Sequence, residues 1–206
     1  HGVLHKALKQ AVLIGYLRTN PTEACILPRI IRKEMHPLEE DQVAVFLREV
    51  QGHPHEYLYK IALFTGLREG EVLGLGWEHI DFQAGTLTVK RQLRREQKKG
   101  GEYYFSPPKN NKSRCLTLAP SVIQLFRLQK LEQNSMRMEA GDAWEEHGLI
   151  FTNQTGGYLS YRTVYDCFKR IVRNIGAPAT RFHDLRHTFA VASIKSGDDI
   201  KTVQEN

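Results

Sequence analysis

Apolar residues recur at helical spacing along most of this chain, and alternating runs interrupt them only in the middle. Leu4, Ala7, Leu8, Ala11, Val12 and Tyr16 predict a helix over 3–17, which Asn20-Pro21 stops. Residues 22–36 show little periodicity and carry Pro28, Arg29, Arg32 and Lys33, so they read as an extended basic linker. Pro37 opens a second helix at its favoured first position. Glu39, Glu40 and Asp41 complement the dipole there, and Val43, Phe46, Leu47 and Val50 form the buried side. Past the break at Gly52-His53-Pro54 comes a short apolar helix with Tyr57, Ile61, Leu63 and Phe64. Gly66 allows a sharp turn, and a new helix starts at Arg68.

The period then changes. Asp81-Phe82-Gln83-Ala84-Gly85 is a turn, and Thr86–Val89 alternates like a strand. A polar arm over 91–101 holds Arg91, Arg94, Arg95, Lys98 and Lys99. Residues 103–105 read as a returning strand, 107–114 as a tight hairpin turn carrying Lys109 and Lys112, and 115–118 as a third strand. Helical spacing resumes from Pro120 with Val122, Leu125, Phe126 and Leu131. Ser160 caps another helix, ending near Gly176 and carrying Tyr158, Tyr161 and Tyr165, which read as core or surface-facing side chains. Leu185, Phe189, Ala192 and the stem of Lys195 share one side of a helix that ends at Gly197, and Asp198 or Asp199 starts one more. The fold class is α+β and mostly α, with a small three-stranded antiparallel sheet. The linker divides the chain into 1–30, the last helix of a preceding domain plus linker, and 31–206, a second domain.

Composition narrows the class. The 206 residues carry a net charge of +6, with a pI near 9.2, which tilts towards a polyanionic partner without demanding one. Cys25, Cys115 and Cys167 are odd in number and far apart, which suits reduced thiols in a cytoplasmic protein rather than a disulfide frame or zinc knuckle. No apolar run approaches membrane-spanning length.

The candidate chemistry centres on His183, Arg186 and His187. His183 and Arg186 are three apart, hence neighbours on a helix face. An imidazole beside a guanidinium suits an anion, since the arginine fork matches two phosphate oxygens and histidine can pass a proton near neutral pH. A solvated face with a capping histidine is the plain alternative. A zinc helix would use His183 and His187 at i, i+4, but Asp184 stands where zinc proteases place Glu, no third ligand is signalled, and Arg186 would repel the metal. Far upstream, Arg68 sits where a helix N-terminus already favours an anion.

Thr65-Gly66-Leu67-Arg68-Glu69-Gly70-Glu71, Pro108-Lys109-Asn110 and His183-Asp184-Leu185-Arg186-His187-Thr188-Phe189 occur in that order. Together they resemble the tyrosine recombinase family of phage and transposon integrases, most nearly those of conjugative transposons, across nearly all of 37–206. The resemblance implies a site-specific DNA recombinase, of bacterial or phage origin, that excises and inserts a mobile element through a 3′-phosphotyrosine intermediate. It implies Arg68 and Arg186 as a phosphate clamp, Lys109 as the acid for the leaving oxygen and His183 as an aid to proton transfer. Glu71 and His187 would support them. Arg91, Arg94, Arg95, Lys98, Lys99, Lys112, Arg114 and Arg181 would contact DNA. Residues 1–30 would close a core DNA-binding domain, and 31–206 would be a catalytic domain incomplete at its C-terminal end, with the nucleophilic tyrosine beyond Asn206. The partners implied are double-stranded DNA and further copies of the chain, dimer to tetramer, with no membrane, metal or cofactor. A non-catalytic DNA-binding protein and a type IB topoisomerase-like relaxing enzyme are the alternatives.

Overall fold

The computed structural model describes residues 1–28, 34–98, 100–109 and 111–196, in two compact units, His1–Glu34 and Met35–Asn206. The basic residues Arg29, Arg32 and Lys33 of the linker, Lys99 of the arm and the expected final helix from Asp198 or Asp199 lie outside the described residues.

In the first unit α1 (Gly2–Leu13) ends before residue 17, where Gly15 takes a left-handed φ of 82°. Asn20 does not stop this helix. Its side chain instead accepts the Thr22 N–H at 3.1 Å and starts a 3-10 turn, Pro21–Ala24, while Thr22 Oγ1 and His5 Nδ1 bond at 2.9 Å.

The second unit is built from α2 (Glu40–Glu49), α3 (Glu56–Thr65), α4 (Glu69–Leu73), α5 (Pro120–Ala140), α6 (Tyr161–Asn174) and α7 (Asp184–Lys195). Pro37 is not the first residue of α2, which begins three residues later; the Glu39 N–H donates to Gln42 Oε1 at 3.0 Å at its start. The segment holding Pro37 is pinned elsewhere: the Leu38 N–H donates to Thr188 Oγ1 at 2.9 Å, and the Thr180 hydroxyl donates to His36 O at 3.0 Å.

α3 packs against both α5 and α7. Tyr59 at its centre is fully buried among Phe46, Phe168 and Phe182, with its hydroxyl donating to Val164 O at 2.8 Å. Such a buried aromatic keeps its polar tip bonded. Two expected core positions face out, Phe64 and Leu131. The buried side of α7 also differs from the expected stripe. Leu185 is buried, Phe189 is half-buried, Ala192 and Lys195 are exposed, and Thr188 and Ser193 are buried instead. The tie from Thr188 to Leu38 explains the polar side chain there.

The strands depart from expectation in their pairing. β1 (Ile80–Asp81), β2 (Thr86–Val89) and β5 (Arg114–Thr117) form a three-stranded antiparallel sheet in the order β1-β2-β5, with Leu87 opposite Leu116. β3 (Gln92–Arg95) and β4 (Tyr103–Ser106) form a separate two-stranded sheet, with Leu93 opposite Phe105. The first half of the expected polar arm is therefore a strand. Leu93 buries completely, and β3 lies so close to α4 that a Cβ on Gly74 would meet Leu93 N at 2.7 Å. It follows that the turn carrying Lys109 is not a hairpin, because it joins one sheet to the other.

Candidate active site

The site begins at the end of α3. Gly66 takes a left-handed φ of 61°, and a Cβ there would strike the Phe189 ring at 2.6 Å. Only glycine serves both needs. That close approach seats α7 on the turn, and Arg186 donates from Nη1 to Gly66 O at 2.6 Å. The chain then reverses, so that Arg68 becomes the N-cap of α4.

Glu71, one turn on, is 1% exposed and holds two arginines. Its carboxylate accepts the Arg68 backbone N–H at 2.9 Å and Arg68 Nη1 at 3.0 Å. It also accepts Arg114 from β5 in a two-pronged pair at 2.9 and 2.8 Å. Burial pushes this carboxyl up, but the Arg114 bonds, the Arg68 N–H and both positive charges outweigh it and hold Glu71 below the usual glutamate value. The expected role of Glu71 as the group that orients Arg68 fits this geometry. Arg114, expected to face DNA, turns inward onto Glu71.

Burial and the charges of Arg68 and Arg114 push the Arg186 guanidinium value down, with Glu71 opposing. Three guanidiniums thus gather around one carboxylate, leaving two positive charges in excess. Arg68 keeps about a third of its side chain open to solvent (34%). An anion approaching from that side finds charge already assembled, with no reorganisation to supply it.

His183 sits at the N-cap of α7, not inside the helix as expected, and its ring meets His187 edge-on at 5.2 Å. Partial burial, then His187, Arg186 and Arg68, hold it below the ordinary histidine value, with Asp184 opposing. Its neutral form, able to accept a proton, therefore dominates at neutral pH. Beside it Arg181 does not project freely. Its guanidinium donates to the buried Asp184 at 3.0 and 2.9 Å, and its N–H donates at 2.9 Å.

Lys109 is exposed on the turn after the buried Pro108, and Lys112 is exposed beyond it. Among the described residues, the hydrogen bonds that join Arg68 and Arg114 to Glu71 do not reach Lys109. Just before β3, Arg91 lies over Phe105 at 4.1 Å, donates to Gly74 O at 2.9 Å and pairs with Glu78 at 3.1 Å. Arg95 covers Tyr103 at 5.2 Å and donates to Gly101 O at 2.8 Å. Arg94 and Lys98 are exposed, and Lys98 pairs with Glu96 at 2.7 Å. The cations of the expected arm therefore divide, with Arg91 and Arg95 laid on the protein.

Glu69, which sequence reasoning passed over, has a buried Oε1 without a hydrogen-bond partner, and burial pushes its pKa up to about 7. A carboxyl raised in the folded state costs stability as pH climbs from its unfolded value towards the folded one. Glu69→Gln should therefore leave stability unchanged near pH 4 and raise it by about 1–3 kcal/mol at pH 8. Urea midpoints at the two pH values check this, and an equal effect at both would refute it.

Comparison with known proteins places the chain. The phage integrase family model matches residues 36–206. This chain belongs to the phage integrase family. A tyrosine recombinase XerC-like protein of Caldanaerobacter subterraneus subsp. tengcongensis is 29% identical over 211 residues, covering 95% of this chain and 54% of that protein. An integrase of Streptomyces ambofaciens is 28% identical over 200 residues, covering 92% and 50%. The chain thus spans about half the length of these curated relatives. In fold it resembles the Tn1549 transposon integrase solved with transposon right end DNA, with a TM-score of 0.81 at 24% identity over 98% of this chain and 67% of that one. The XerA recombinase crystal structure gives a TM-score of 0.64 at 19% identity, covering 86% and 56%. No described helix of this integrase-family chain is long and apolar enough to cross a membrane.

Proposed function

We propose that this chain is the catalytic part of a tyrosine site-specific recombinase that excises and inserts a mobile element in the cytoplasm. The observation that carries this reading is the surplus of two positive charges built by Arg68, Arg114 and Arg186 around the single carboxylate of Glu71. A tyrosine hydroxyl, supplied by chain following Asn206, attacks a DNA phosphorus. The P–O5′ bond breaks, the 3′-phosphate stays on the tyrosine, and a 5′-hydroxyl leaves. Arg68 and Arg186 hold the non-bridging oxygens of the crowded transition state. Lys109 gives its proton to the departing O5′, and His183 takes part in removing the tyrosine proton. A second DNA end then attacks the phosphotyrosine, reversing the steps on a new partner.

In the same reading, residues 1–30 close a core DNA-binding domain and 31–206 hold the catalytic chemistry. Two to four copies assemble on two duplexes. His187 supports His183, to which its ring packs. Arg94, Lys98, Lys99 and Lys112 lie along the backbone of the DNA. Replacing Arg94 and Lys98 with Ala should flatten the slope of log K against log salt by up to about 0.9 per lost phosphate contact. An unchanged slope in a filter-binding titration would return these two side chains to solvent. Arg95→Ala should instead loosen the β3–β4 sheet on which it lies.

The reading is tested by incubating the full-length protein with a supercoiled plasmid carrying both ends of its element. Deletion circles that form only when the two ends are present support it. Relaxation of any plasmid, with or without those ends, would identify a relaxing enzyme instead, and binding with no change in DNA topology a non-catalytic binder.

A further inference from the structure

We propose that Tyr158 is a positioning residue for Lys109, acting through β4; this rests on the role proposed above for Lys109. The tie begins at the end of β4. Lys109 stands three residues past Ser106, and the two residues between are prolines, whose rings fix φ. Pro108 is buried, the Gln92 amide on β3 donates to Pro107 O at 2.6 Å, and the Asn111 N–H donates to Pro108 O at 2.8 Å. With this much of the turn fixed, the backbone of Lys109 goes where β4 goes.

β4 itself is gripped from two sides. Along the outer edge of β3, the Leu93 backbone rests on α4 at Gly74, and the Tyr161 hydroxyl donates to Leu93 O. In front, Tyr103 and Phe105 share one face of β4, being two residues apart. Both meet Tyr158. The Tyr103 ring stacks on it at 5.2 Å and 24°, and the Phe105 ring meets it edge-on at 6.0 Å. His147 also stacks on Tyr158, at 4.8 Å and 27°, so Tyr158 stacks with two rings. Arg91 and Arg95 cover Phe105 and Tyr103 in turn.

One aromatic ring from the loop before α6 therefore locks the two-stranded sheet that delivers Lys109. Arg68 caps α4, which packs along the β3 edge of the same sheet. The distance between the phosphate clamp and the proton donor is set through this packing. A ring lost at Tyr158 frees the front of β4 and lets Lys109 drift from the leaving oxygen, while the clamp stays whole.

The test uses the full-length protein and duplexes carrying an end of its own element, with either oxygen or sulfur at the bridging 5′ position. A sulfur leaving group departs without a proton, so it bypasses any need for Lys109. Tyr158→Leu should cleave the oxygen substrate on the order of ten- to a hundredfold more slowly, since general acids contribute about 10²–10⁴-fold. DNA affinity should be unchanged, most of the rate should return on the sulfur substrate, and Tyr158→Phe should keep the parent rate. Adding Tyr158→Leu to Lys109→Ala should cost nothing further. His147→Ala, which trims the outer ring, should show a smaller loss with the same sulfur rescue, and serves also if Tyr158→Leu does not fold. Equal losses on both substrates for the position-158 and position-147 variants, with Lys109→Ala rescued by sulfur, would overturn the positioning role alone. A Lys109→Ala defect equal on both substrates would overturn the role of Lys109 itself, and this inference with it.

Discussion

Arg68→Ala or Arg186→Ala in the full-length protein should slow DNA cleavage by about two to three orders of magnitude, the usual cost of losing one preorganised charge donor. DNA binding should stay within roughly tenfold, about 1.4 kcal/mol. The two effects separate because, in the proposed role, these side chains meet charge that grows as the fifth bond to phosphorus forms. Only contacts stronger in the transition state than in bound DNA speed the step. Arg186 is held ready by its bond to Gly66 O, and Arg68 by Glu71. Arg→Lys at either position should recover little, since a point charge does not reproduce the planar fork. Single-turnover cleavage beside a binding titration gives both numbers. A loss of activity accounted for by weaker binding would reduce these arginines to ordinary phosphate contacts.

Glu71→Ala carries the largest expected cost in stability, about 3–5 kcal/mol, because it strands the charges of a pair buried against a 1% exposed carboxylate. Arg114, only 16% exposed, loses both its acceptors, and Arg68 loses its side-chain and backbone bonds. The pH dependence has a fixed sign. The folded carboxyl lies below its unfolded value, so its contribution is complete above that ordinary glutamate value and disappears as pH falls through the lower, folded one. Wild type should therefore lose this share of stability in the acid range, while Glu71→Ala has none to lose. Chemical denaturation at pH 7 and at pH 3 measures it. A deficit in the variant that is as large at pH 3 as at pH 7 would assign the loss to packing, not to charge.

The positions of the clustered arginines are partly legible in the sequence because local signals place them. Gly66 marks the turn, Arg68 follows at the helix start, and the Glu71 spacing is that of a residue one turn on. Long-range pairing is what sequence reading misses. Arg114 lies 43 residues from Glu71 and reads as one more basic residue of a turn, and nothing local points it inward. β3 hides in a run of arginines because a single residue, Leu93, supplies its buried side. Arg181 reads as a free cation, whereas the buried Asp184 three residues on claims it. The stripe on α7 is misjudged for a related reason. Thr188 is buried by its bond to the segment before α2, a partner 150 residues away that helical spacing cannot reveal.

The reaction proposed above runs through a phosphotyrosine whose tyrosine follows Asn206. Two upstream tyrosines, Tyr158 and Tyr161, are poorly placed to replace it. Tyr158 stacks with both His147 and Tyr103, and the Tyr161 hydroxyl is spent on Leu93 O, with burial and then Glu69 pushing its pKa up. The direct measurement is a nicked suicide duplex carrying the element end, incubated with the 206-residue chain and with the full-length protein, followed by a denaturing gel and mapping of the adduct. The 206-residue chain should bind the duplex without forming an adduct. The full-length protein should form a covalent complex mapping to a tyrosine beyond Asn206. An adduct on Tyr158, Tyr161 or Tyr165, or DNA cut by the full-length protein with no covalent complex, would contradict it.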